Sequence, residues 1–132
     1  MEQTAKLPTL LIVDDDNFLL EMYALKFKQS GFDVTTSLGS EDALSKLAGG
    51  YNPDILLLDV VMPVMNGFEL LKKLVTDHIA SDTIKIMLSN RGQQSDIDEG
   101  MKLGVAGYIV KANATPSEVI EKVKSIMSEK KK

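Results

Sequence analysis

The chain has 132 residues and a mass of 14.5 kDa, a one-domain length that can bury a real core without staples. Hydrophobic residues make up 44% and charged residues 26%, which excludes an intrinsically disordered chain. There is no cysteine and a single histidine, His78, so disulfide frameworks, thiolate zinc sites, thiol catalysis and a His-rich metal centre are excluded together.

A formal charge of −4 and a pI near 5.0 leave no basic footprint for nucleic acid. The basic end, Lys130, Lys131 and Lys132, reads as a solvated terminus. The longest apolar stretch, Ile55 to Val64, is interrupted by Asp59 and falls short of the roughly 20 residues that cross a bilayer. Met1 to Pro8 lacks the basic and apolar regions of a secretory signal. These features lead to the expectation of one soluble cytoplasmic domain, with neither nucleic acid nor membrane among its partners.

In chain order, two textures alternate. Leu10–Val13 reads as a buried strand, followed by a helix over about Asn17 to Gln29 with Leu19, Met22, Tyr23 and Phe27 at helical steps. Val34–Leu38 is the second strand, and a short helix from Glu41 to Leu47 follows with Ser40 as its expected N-cap and Gly49-Gly50 as its stop. Ile55–Leu58 is the third strand, and Gly67 to Thr76 carries Phe68, Leu70, Leu71, Leu74 and Val75 on a third helix. Ile84–Leu88 precedes a helix over Gln94 to Leu103, which Gly104 ends. Tyr108–Val110 precedes the last helix, which starts with Thr115 as N-cap, Pro116 at the first position and Glu118 three after the cap, and runs to Met127. Five strands alternating with five helices predict a (βα)5 chain. Unbroken apolar strands are buried on both faces, so the sheet is expected to be parallel, with right-handed crossovers making a doubly wound three-layer α/β sandwich.

In such a sheet the C-terminal ends of the strands share one edge, where ligands bind. Past strand one come Asp14, Asp15 and Asp16; past strand three, Asp59; past strand four, Ser89 and Asn90; past strand five, Lys111. A loop built for a bare phosphate would be glycine-rich or hydroxyl-rich, whereas three aspartates repel one. Two carboxylates about 5 Å apart at an effective dielectric near 20 repel by about 3 kcal/mol, so the cluster calls for protonation or a hard divalent cation such as magnesium. Asp59 beside a metal is a candidate nucleophile toward a phosphoryl group, with the Ser89 hydroxyl and the Lys111 ammonium to neutralise phosphoryl oxygens. Singly, each residue also has an ordinary reading. Asp16 is the natural cap of the first helix, Asp14 and Asp15 can be loop residues, Asp59 can simply end a strand, Ser89 and Lys111 can be solvated, and Tyr108 can be core. Their joint placement at matching strand ends is what the ordinary readings do not require.

At these residues the chain resembles the receiver domains of two-component response regulators, the CheY-like fold. Asp59-Val60-Val61-Met62-Pro63-Val64-Met65-Asn66-Gly67-Phe68-Glu69 is similar to the acceptor loop of that family; Leu11-Ile12-Val13-Asp14-Asp15-Asp16, Met87-Leu88-Ser89 and Tyr108-Ile109-Val110-Lys111 are similar to its other strand ends. The likeness covers about Leu7 to Met127, leaving 1–6 and 128–132 as short tails. It implies strand order 2-1-3-4-5 and Asp59 as acceptor of a phosphoryl group from a sensor histidine kinase or a His phosphotransfer protein. It also implies Mg2+ (or Mn2+) on Asp14, Asp15, Asp59 and the Val61 carbonyl, with Asp14 acting partly through water, and Ser89 and Lys111 on the phosphoryl oxygens. Ser89 and Tyr108 would then act as the switch, read by a protein target at the surface of helix four, strand five and helix five, in a monomer or a phosphorylation-dependent dimer.

Three departures from the family pattern carry expectations. Ala112 follows Lys111 in place of a proline; a cis bond there would cost about 2.5–4 kcal/mol, so either a strained cis bond or a trans bond with a rearranged loop is expected. Asn90 replaces a small residue and narrows access to the acceptor. Val61 and Arg91 are expected to line the path of a hydrolytic water and to slow self-dephosphorylation. The leading reading is a single-domain regulator whose output passes through a protein partner, not an enzyme turning over an external substrate. A pseudo-receiver that binds partners without phosphorylation is the alternative. A phosphohydrolase would carry an acid two residues after its nucleophile, where this chain has Val61.

Overall fold

The computed structural model describes residues 6–130. Its elements run β1 (Thr9–Asp14), α1 (Asn17–Gln29), β2 (Asp33–Leu38), α2 (Ser40–Ala48), β3 (Ile55–Leu58), α3 (Gly67–Thr76), β4 (Ile84–Ser89), α4 (Gln94–Lys102), β5 (Gly107–Val110), a 3-10 turn over Lys111–Asn113, and α5 (Pro116–Lys130). The five strands form one sheet in the order β2-β1-β3-β4-β5, and every pairing is parallel. The expected doubly wound α/β sandwich is the observed one.

Alternation along the strands divides the core in two. Leu10, Ile12, Ile55, Leu57, Ile86, Leu88 and Ile109 pack with Leu20, Tyr23 and Phe27 of α1 and Val119, Ile120 and Val123 of α5. The opposite side chains, Leu11, Val13, Leu56, Leu58 and Met87, meet Ala43 and Leu47 of α2, Leu70, Leu71 and Leu74 of α3, and Val105. β3 is central and wholly buried, as an apolar run covered on both faces must be. β2 lies at the sheet edge, and of its residues only Ser37 is buried; the expected buried strand is therefore half exposed, because no strand among the described residues pairs with its outer side.

Helix starts follow local hydrogen-bond chemistry. The Asp16 carboxylate accepts from the Leu19 amide at 3.2 Å, Asn66 and Glu69 form a reciprocal capping box at α3, and Thr115 and Glu118 form another at α5. Ser40 is not the cap of α2. Gly39 takes that place at φ 93°, a left-handed turn that favours glycine, and Ser40 becomes the first helical residue with its buried hydroxyl against Met62 Sδ at 3.8 Å. The last helix passes the expected end at Met127 and continues to Lys130, since Ser128, Glu129 and Lys130 contain no breaker. Lys131 and Lys132, with 1–5, lie outside the described residues.

One glycine fixes the geometry of the site. A methyl at Gly67 would collide with the Asp59 carbonyl oxygen and sit 3.1 Å from Val60 Cα, so the start of α3 lies directly against the backbone that carries Asp59, and the Gly67 amide donates to the Val60 carbonyl at 2.8 Å. Gly67→Ala should cost about 1–3 kcal/mol by overpacking, read as a lower denaturant midpoint at unchanged slope.

Candidate functional site

Three carboxylates meet because β1 and β3 are neighbours in register, Val13 opposite Leu58. Asp14 ends β1, Asp15 follows it, and Asp59 follows β3 with its amide donating to the Val13 carbonyl at 3.1 Å. One oxygen from each of Asp14, Asp15 and Asp59 lies within 4.8 Å of the others; Asp14 and Asp59 are buried and Asp15 is exposed. Asp16 stands outside this trio and caps α1.

The positive charge comes from across the sheet. Lys111 Nζ lies 2.8 Å from Asp14 Oδ2 and 3.0 Å from Asp59 Oδ2, with its side chain 9% exposed. Burial pulls the Lys111 ammonium toward a lower pKa, but the hydrogen bonds and charges of Asp14 and Asp59 outweigh it and leave the pKa above its ordinary value. The peptide bond to Ala112 is trans, as are all those among the described residues. Of the two expected bond states the trans one is found; Lys111–Asn113 form a 3-10 turn, and this turn delivers the ammonium to Asp59.

The remaining oxygens are engaged locally. Asp59 Oδ1 accepts from the Val60 amide at 2.7 Å, and Asp14 Oδ1 accepts from the Asp16 amide at 3.0 Å. Around them opens a cleft of about 370 Å³ lined by Asp14, Asp15, Asp16, Leu19, Asp59, Val61, Ser89, Asn90 and Lys111. Every donor in the acidic trio is a carboxylate oxygen, the ligand chemistry of a hard divalent cation. Val61 is exposed at the rim, and among the described residues no hydrogen bond occupies its carbonyl.

Ser89, at the end of β4, is fully buried and its Oγ accepts from the Arg91 amide at 3.2 Å. Tyr108, on β5, is half-buried and its hydroxyl donates to the Arg91 carbonyl. Burial raises the Tyr108 pKa, with the charge of Asp96 adding to it. Arg91 departs from expectation. It does not line the cleft, because its guanidinium is held 2.7 Å from Asp96 Oδ1; Val61, expected with it on the water's path, and Asn90, expected to narrow access, do line it. Asp96 was not singled out by sequence reasoning, although an acid two residues into a helix start, three after Gln93, is a capping-box spacing. A second unanticipated polar group, Lys85, is buried within β4 and donates to the Ala80 carbonyl at 2.7 Å; burial lowers its pKa. Its place at the opposite end of the strands, facing the Ala80–Thr83 turn, separates it from the site.

Known proteins match this chain in sequence and in fold. The response regulator receiver domain family matches residues 10–124. The chain is 29% identical over 119 residues to the phosphate regulon transcriptional regulatory protein PhoB of Pseudomonas aeruginosa, covering 90% of this chain and 51% of that protein. It is 32% identical over 118 residues to the alkaline phosphatase synthesis transcriptional regulatory protein PhoP of Bacillus subtilis, covering 89% and 48%. The chain thus spans about half the length of these curated relatives. Among solved structures, the receiver domain of Francisella response regulator 1452 superposes with a TM-score of 0.82 at 30% identity, over 93% of this chain and 98% of that one. The Vibrio cholerae chemotaxis protein CheY4 superposes at 0.83 and 27%, over 92% and 99%. Among the described residues no helix is long and apolar enough to cross a membrane. The chain belongs to the response regulator receiver domain family of two-component signalling.

Proposed function

We propose that the protein accepts one phosphoryl group on Asp59 from the phosphohistidine of a sensor histidine kinase or a His phosphotransfer protein, and passes the signal to a protein target. The observation that carries this reading is the Lys111 ammonium seated on both Asp14 and Asp59 beside a third carboxylate, in spite of the alanine that follows it. A merely structural ion pair has no use for an exposed Asp15 at the mouth of an open cleft.

The cleft residues divide the work. An Asp59 oxygen attacks phosphorus as the bond from phosphorus to the histidine nitrogen breaks; the electron pair leaves with the imidazole, and Asp59 becomes an acyl phosphate. Asp14, Asp15, Asp59 and the Val61 carbonyl would hold Mg2+ or Mn2+. When bound, that cation supplies neutralisation of charge on the phosphoryl oxygens. Lys111, already charged and desolvated, pairs with one phosphoryl oxygen, and the Ser89 hydroxyl donates to another. Because Ser89 and Tyr108 share Arg91 as a hydrogen-bond partner, a pull on Ser89 is felt at Tyr108 and so at the surface of α4, β5 and α5. That surface is where a target, or a second copy of the phosphorylated chain, would dock.

Intact mass after incubation with acetyl phosphate tests the reading. One phosphoryl adduct is expected with magnesium, none after chelation, and none in Asp59→Asn. A folded protein that takes up no adduct under any of these conditions would favour a partner-binding module that works without phosphorylation. Continuous hydrolysis of acetyl phosphate would favour an enzyme.

The apolar Val61 side chain at the cleft rim offers an attacking water no hydrogen-bond partner, and Asn90 beside it narrows the approach. The adduct, once donor is removed, should therefore persist for minutes or longer in magnesium. Loss within seconds would reject this account of the rim.

A further inference from the structure

Arg91 makes three hydrogen bonds with three different parts of the fold, and the phosphoryl-transfer reading uses its side chain for none of them. Its amide donates to Ser89 Oγ at 3.2 Å, its carbonyl accepts from the Tyr108 hydroxyl, and its guanidinium donates to Asp96 Oδ1 at 2.7 Å. The Arg91 side chain is 51% exposed, while that of Asp96 is 7% exposed. The second Asp96 oxygen accepts from the Gln93 amide at 3.3 Å. A buried carboxylate with both oxygens engaged is costly to leave unpaired, so Asp96 is the fixed end of the pair and Arg91 the end that is held.

The surrounding backbone leaves the loop little room to relax. A methyl at Gly92 would stand 2.8 Å from Val110 Cγ2, and one at Gly100 of α4 would stand 3.3 Å from the Tyr108 ring. The loop between β4 and α4 is therefore pressed onto β5 at Gly92, and the Tyr108 ring lies against α4 at Gly100. Within that packing, the position of the Arg91 main chain sets where its amide meets Ser89 and where its carbonyl meets Tyr108.

We infer that Asp96 is a positioning residue for the acceptor site: by anchoring the Arg91 guanidinium to α4 it fixes the Arg91 main chain, which in turn holds the Ser89 hydroxyl on one side and the Tyr108 hydroxyl on the other. This deepens the reading of Asp59 as phosphoryl acceptor and rests on it for its effect on rate. The coupling of Asp96 to Tyr108 does not rest on it. The assignment also gives the Arg91 side chain a role away from the cleft, in place of guarding the acceptor from water.

The test uses the full chain with Arg91→Ala, Asp96→Asn, both together, and Arg91→Lys. Asp96→Asn keeps the side-chain shape and an oxygen for the Gln93 amide. Two quantities are read: the Tyr108 ring resonances before any phosphoryl donor is added, and the rate of phosphorylation by acetyl phosphate with magnesium. The expected result is a shift of the Tyr108 resonances in both single variants and a rate lower by about three- to tenfold, the range in which positioning residues couple to a site. The double variant should be no slower than the slower single one, and Arg91→Lys should recover part of the rate. In a Ser89→Ala background, Arg91→Ala should slow the reaction no further, which a general loss of stability would not reproduce. Unchanged resonances and rates, effects that multiply in the double variant, or a full Arg91→Ala effect without Ser89 would overturn the inference. If the wild-type chain takes up no phosphoryl group, the acceptor reading fails. The resonances then decide the positioning claim alone: shifted in both variants they uphold it, unmoved they overturn it.

Discussion

The C-terminal edge of this sheet depends on one charge balance. Parallel pairing of β1 with β3 forces Asp14, Asp15 and Asp59 to within 4.8 Å of one another, a repulsion of several kcal/mol at the dielectric of a partly buried cleft. The Lys111 ammonium, brought in from the far edge strand, offsets it by bonding to the two buried members. Without that cation the two buried carboxylates would face each other uncompensated. With it, they are held close together, the arrangement of oxygen ligands that suits a hard divalent cation.

The rest of the fold delivers these groups. β3 is the most enclosed strand, so the backbone that ends in Asp59 has little freedom, and Gly67 lets α3 press against it. Lys111 depends on a weaker support. β5 is short and at the edge, and the 3-10 turn that follows it takes a trans bond into Ala112. Two contacts with carboxylates, and not the local backbone alone, hold the ammonium in place.

Most of this was legible in the residues, for identifiable reasons. Leu10–Val13, Ile55–Leu58 and Ile84–Leu88 announced themselves because strands covered on both faces have no polar side to hide. The caps at Asp16 and at Thr115-Pro116 fixed two helix starts through side chains that have one obvious partner each. Strand ends in a parallel sheet share an edge, so the order of the strands alone brings Asp14, Asp59, Ser89 and Lys111 together. What escaped was set by contacts distant in sequence or by backbone geometry. Ser40 looked like a cap until the left-handed turn at Gly39 took that place. Val34–Leu38 looked buried because its edge position is a property of the sheet and not of the strand. Arg91 looked like a guard of the cleft because the carboxylate that draws it away, Asp96, sits on α4.

The most direct test of the charge balance is a calorimetric magnesium titration of the wild-type chain beside Lys111→Met. If the ammonium and a divalent cation answer the same repulsion, removing the ammonium should tighten magnesium binding, by about tenfold for one unit charge in a partly solvated cleft. Thermal stability without magnesium should fall at the same time. Magnesium affinity that is unchanged or weaker in Lys111→Met would contradict the account, since it would mean that the acidic cluster does not depend on Lys111 for its charge.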